Sequence, residues 1–131
     1  MNSAALNLYK SINVESGITD ASPYKMIAML FEGAMDKLSI VRGAIERGDS
    51  VQKGEQIGKV IAIVDGLRAS LDYEKGGEIA TNLGSLYDYM ERRLLEANVS
   101  NDLAIVDEVY GLLSELKSGW DGISGEQKIP A

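Results

Sequence analysis

LDYEKGGEIATNLGSLYDYMERRLLEAN, Leu71 to Asn98, sets two adjacent glycines, Gly76 and Gly77, between stretches of helical spacing, and then places Tyr87 and Tyr89 two residues apart. Residues two apart on a helix point in opposing directions, so both rings cannot enter one core. Ile79, Leu83, Leu86, Met90, Leu94 and Ala97 follow the three-and-four spacing of an inward stripe, which predicts a helix from about Glu78 to Ala97 with Tyr87 on one border and Tyr89 on the other. Each border ring can bury its body and send its hydroxyl to water or a polar partner. The glycine pair reads as the reversal that ends the preceding helix at Gly76. A phosphate-cradling loop is a poorer reading, because the spacing is not that of a P-loop and no strand precedes it.

Working outward, the preceding helix is read from about Val51 to Tyr73, capped by Asp49 or Ser50, and the one before it starts at Ser22-Pro23 and ends at Arg47-Gly48. Downstream, Asn98 is a plausible stop, Ser100 or Asn101 caps a fourth helix from about Asp102 to Ser118, and Gly119 ends it. Short connections favour antiparallel neighbours, so the fold class is all-α, an antiparallel up-down four-helix bundle over residues 21–120. Residues 1–20 read as a flexible N-terminal arm and residues 121–131 as a frayed C-terminal tail.

The chain has 131 residues, enough for one domain, with 45% apolar and only 6% aromatic residues, so its core is built mainly from aliphatic side chains and Met. Its net charge is -7, from 13 basic and 20 acidic residues, without a clustered basic block, which argues against a nucleic-acid partner. Cysteine and histidine are both missing from the sequence. That removes thiolate nucleophiles, disulfides, Cys/His zinc sites and Ser-His-Asp triads together. No catalytic, cofactor or metal residues are expected. The longest apolar run, Val60 to Val64, falls far short of the roughly 20 residues of a membrane span. The expectation is a cytoplasmic protein without direct membrane insertion, a monomer or weak homodimer.

Helix one carries more apolar surface than one stripe requires. Ile27, Leu30, Phe31, Ala34, Leu38, Val41 and Ile45 account for a buried face, and Met26, Met29, Gly33, Ile40 and Ala44 form a second stripe about a third of a turn away. Helix two repeats the pattern, with Ile57, Val60, Ile61, Val64, Leu67 and Leu71 facing inward and Ile63 to one side. In helix four, Val106, Val109, Tyr110, Leu113 and Trp120 make the stripe that Ile105, Leu112 and Leu116 widen. Broad core faces would explain single members of these sets; taken together they read as a partner-binding surface of Met26, Met29, Ile40, Ile63 and Tyr89. A homo-oligomer burying the same stripes against its own copies is the alternative.

The Leu71–Asn98 stretch, with its GGEIATNLGSLYDYM string, and ASPYKMIAMLFEGAMDKL at Ala21 to Leu38 resemble the FliS-type flagellar secretion chaperones, and Tyr9-Lys10 and Val14-Glu15 fit as well. The resemblance implies an export chaperone of the cytosol that binds the disordered C-terminal segment of flagellin in apolar grooves before type III secretion. For some members it also implies contact with an anti-sigma factor and the flagellar export gate. It assigns the arm a part in covering or adjusting the groove, with Tyr9 at the matching position. Phe31-Glu32-Gly33 stands where the family more often has Tyr-Asp-Gly, which removes one hydroxyl.

Overall fold

The computed structural model describes residues 22–128. The N-terminal arm, and Tyr9 with it, lies outside the described residues. Helix α1 runs Pro23–Arg47, α2 Ser50–Ala69, α3 Tyr73–Ser100 and α4 Leu103–Lys128. Their ends follow local chemistry. Ser22 accepts from the Lys25 backbone N–H at 3.1 Å, and Pro23 gives up no donor that the first turn needs. Gly48 closes α1 in the left-handed region at φ 72°, a conformation that costs glycine little. Asp49 then accepts from Gln52, Asp72 from Lys75, and Asp102 from Ala104, so an aspartate side chain satisfies an early donor of each remaining helix.

Three boundaries depart from the sequence reading. Helix α2 stops at Ala69, before Tyr73, and the chain reverses through Ser70–Asp72 instead of through the glycine pair. The pair lies inside α3, where Gly77 breaks the helical path at φ 50°, ψ -124° after a single turn. Competition between breakers explains the shift: Asp72 offers a cap four residues ahead of Gly76, and the helix restarts as soon as its first donors are satisfied. At the other extreme, α4 continues past Gly119 to Lys128. A glycine in a helix interior costs only about 1 kcal/mol, and Trp120, the next residue, is held by its stack on Tyr24.

Each helix packs against two neighbours, α1 and α3 both lying between α2 and α4, and among the described residues no backbone approach joins the diagonal pairs. The antiparallel sense is visible in cross-helix pairs: Arg42 meets Asp107 between α1 and α4, and Lys53 meets Asn98 between α2 and α3. Leu30, Leu38, Val41, Val60, Val64, Leu67, Met90, Leu94, Val106, Val109 and Leu113 fill the centre with almost no exposure. Each aliphatic side chain so buried contributes about 1.5–3 kcal/mol.

This geometry explains the surplus stripes. A helix flanked by two neighbours needs two apolar faces, and α1 spends both. Met26 and Ala44 are buried, as is Ile63 on α2, which reaches the space left by Gly33 of α1: a Cβ there would sit 3.7 Å from Ile63 Cδ1. Met26 and Ile63 therefore belong to the core in this fold, whereas Ile61 is only half-buried. Tyr110 is exposed, and Ile105 takes an inward place. Tyr87 is 3% exposed and part of the core instead of a border ring, whereas Ile79, expected inside, is 72% exposed.

Candidate apolar cleft

At the end of the bundle where α1 begins and α4 finishes, the helices do not close on each other. A cleft of about 1150 Å³ opens there, floored by Ile27, Phe31, Leu67 and Tyr87 and walled by Leu71, Ile79, Leu83, Leu116, Trp120 and Ile123. Two local features keep it open. The kink at Gly77 breaks the line of α3 after its first turn, and Leu71 and Ile79, on either side of the break, both border the cleft. On the opposite wall, Tyr24 and Trp120 stack with ring centroids 4.8 Å apart and planes 8° from parallel. The Trp120 indole N–H donates to the Tyr24 carbonyl at 3.0 Å, and the Tyr24 hydroxyl donates to the Trp120 carbonyl. These reciprocal bonds tie the first turn of α1 to α4 and hold that wall firm.

Apart from the aromatic residues, the polar side chains lining the cleft are Ser70, Asp72, Lys75 and Glu115, of which the last three are exposed. Burial pushes the Tyr87 phenol up to about 12, so it stays neutral at the cleft floor. Such a site is mostly apolar. It can cover an apolar surface of matching width.

Away from the cleft, charged groups stitch the helices. Tyr89 donates to Glu108 at 2.6 Å and Arg93 Nε donates to the same carboxylate at 2.9 Å, joining α3 to α4. Those two bonds hold the Glu108 carboxyl below its ordinary range, and the same Tyr89 bond raises the phenol. Between α2 and α3, Arg68 meets Asp65, Asp88 and Glu91. Glu91 is pushed up to about 7, first by burial and then by the hydrogen bond and charge of Asp65.

The residues singled out from the sequence do not converge on the cleft. Met26 and Ile63 are buried, Met29 is half-buried, Ile40 is 39% exposed, and Tyr89 is half-buried with its hydroxyl on Glu108. None of these five lines the cleft. Sequence reasoning put Leu71 and Ile79 in the core and passed over Ile123; for the first two the signal is an apolar side chain within two residues of a helix end or break, at Ser70 and at Gly77. Periodicity hides such residues, because a kink changes which face a position belongs to.

The family model described as flagellar protein FliS matches residues 5–127. The chain is 50% identical over 120 residues to the flagellar secretion chaperone FliSB of Pseudomonas aeruginosa, covering 92% of this chain and 95% of that relative. It is 52% identical over 122 residues to the flagellar secretion chaperone FliS of Salmonella typhimurium, with 92% and 90% covered. To the flagellar secretion chaperone FliS of Bacillus subtilis it is 30% identical over 115 residues, with 87% and 85% covered.

Proposed function

The chain belongs to the FliS family of flagellar proteins, and from that membership we propose that its cleft takes up the disordered C-terminal segment of flagellin as an amphipathic helix, shielding it from premature polymerisation until export. It is a flagellar secretion chaperone and not an enzyme. The observation that carries the reading is an apolar cleft that the bundle's own core leaves open, with Ile79 at 72% exposure on its wall.

A helix laid in this cleft covers apolar surface at the end of all four helices. Ordering a disordered client costs about 1–2 kcal/mol per residue, so one cleft alone holds a long segment weakly. The client therefore extends beyond it. Met29, Ile40 and the ring of Tyr89 are the sequence-identified side chains with surface left for such an extension, whereas Met26 and Ile63 support the fold beneath. The arm enters the described fold at Ser22, next to Pro23 and Tyr24 on the cleft rim, which supports giving Tyr9 the groove-covering part that the family resemblance implies. Contacts with an anti-sigma factor and the export gate, and work in the cytosol, belong to the same proposal. None of the described helices is long and apolar enough to cross a membrane.

Trp120 is the one tryptophan of the chain and lines the cleft, so its fluorescence reads occupancy directly. Titration with a flagellin C-terminal peptide should shift its emission and raise helix content above the sum of the parts. Ile79→Asp should weaken that binding about tenfold or more while leaving the melting transition within about 0.5 kcal/mol. Unchanged binding in the variant, or a stable oligomer by sedimentation that ignores the peptide, removes the proposal.

A further inference from the structure

One wall of the cleft has an unusual attachment. Residues 71–76 comprise the end of the α2–α3 connection and a single helical turn, separated from the body of α3 by the break at Gly77. A lone turn has little stability of its own. At φ 50°, ψ -124° Gly77 occupies a region essentially reserved for glycine, so a side chain there would push the turn towards another path. What returns the turn to the helix body is Tyr73, whose ring lies over Gly84. A Cβ built on Gly84 would stand 2.7 Å from the Tyr73 hydroxyl oxygen and 3.7 Å from Leu71 Cδ1. Gly84 itself is buried under that ring, although half of Tyr73 faces solvent. The same short segment brings Leu71, Asp72 and Lys75 to the cleft.

We propose that residues 71–76 form a strap hinged at Gly77 and seated by Tyr73 on Gly84, and that this seating shapes the cleft for an apolar client helix before the client arrives. The proposal rests on the reading of the cleft as the client site. Tyr73 and Gly84 do not line the cleft; they are positioning residues that act through Leu71 and its neighbours. Seated, the strap holds its wall back against α3 and the cleft is ready. Unseated, the wall samples other positions, and binding must first order it.

Gly84→Ala isolates the effect, because its methyl group displaces only the free end of an exposed side chain and improves helix propensity, so the fold should be kept or strengthened. In the free full-length chain, amide exchange across residues 71–76 should speed up about fivefold in Gly84→Ala and Tyr73→Ala, with the melting temperature of Gly84→Ala no lower than that of the parent. Tyr73→Phe should behave as the parent, since it gives up only the hydroxyl and keeps the ring carbon that lies 3.7 Å from the same Cβ position, in ordinary contact with Gly84. Affinity for the flagellin C-terminal peptide, read by Trp120 fluorescence, should fall about fivefold in the first two variants and hold in the third. Parent-like exchange and affinity in Gly84→Ala overturn the proposal, as does a Tyr73→Phe variant that fails like Tyr73→Ala. A parent chain that binds no peptide overturns the client reading and the strap's role in it, whereas the exchange pattern of the free chain still decides the seating.

Discussion

The two ends of this bundle are finished differently. Where α1 turns into α2 and α3 into α4, polar groups tie the chain down: Lys53 is buried and donates from Nζ to the Asn98 carbonyl and to Asn101 Oδ1, both at 2.7 Å, while Gly48 and Asn101 take the left-handed conformations that the turns require. At the opposite end, α2 joins α3 beside an open apolar cleft, and a kinked single turn stands at its edge. A lysine placed against the end of a helix satisfies carbonyls that would otherwise lack partners, and it favours closure. Apolar side chains left at a gap have no such fixed partner. They remain available to something else.

The contrast can be broken most severely from beneath. Phe31 floors the cleft yet is 3% exposed, so it serves the core and the open end together. Phe31→Ala should cost about 3–5 kcal/mol of stability, measured by urea denaturation, along with any client binding. A loss close to zero would mean that the cleft floor is independent of the core. Next in size is Lys53→Ala at the closed end, which takes the lysine donor from the half-buried Asn98 carbonyl and removes its tie to Asn101. It should cost about 1–3 kcal/mol in the same measurement and leave peptide binding at the far end unchanged. If binding falls with it, the two ends are coupled through α2 and α3.

The smallest effect probes the seam between the ends. The raised folded pKa of Glu91, about 7 against an ordinary 4.5, means that the folded chain holds a proton which the unfolded chain has already lost between those values. Its contribution is therefore complete below about pH 4.5 and disappears as pH rises through 7. Arg68, Asp65 and Asp88 are the charged groups that face it. Glu91→Gln cannot lose that proton, so the stability of the parent relative to the variant should decline from about pH 5 to about pH 8, by about 1 kcal/mol or less once solvent screening is counted. Melting temperatures taken across that range test the sign. Glu108, whose carboxyl is held low, works in the opposite direction: its contribution is present above the ordinary pKa and is lost on acidification.

Local chemistry made much of this protein legible without coordinates. Ser22-Pro23 starts a helix and Gly48 ends it because capping and left-handed geometry are decided within a few residues. A chain without cysteine or histidine excludes broad classes of catalysis before any fold is known. Alternation at helical spacing located Leu30, Leu38, Leu94 and Leu113 in the core. What required the tertiary structure was the fate of each remaining apolar residue. Periodicity tells which side chains share a face, but only the positions of two neighbouring helices decide that Met26 and Ile63 are covered and Ile79 is not. The glycine pair shows the same division: its sequence announced a break in the helix, but only the fold shows that Asp72 starts α3 ahead of the pair, that Gly77 kinks it after one turn, and that the residues around this kink line the cleft.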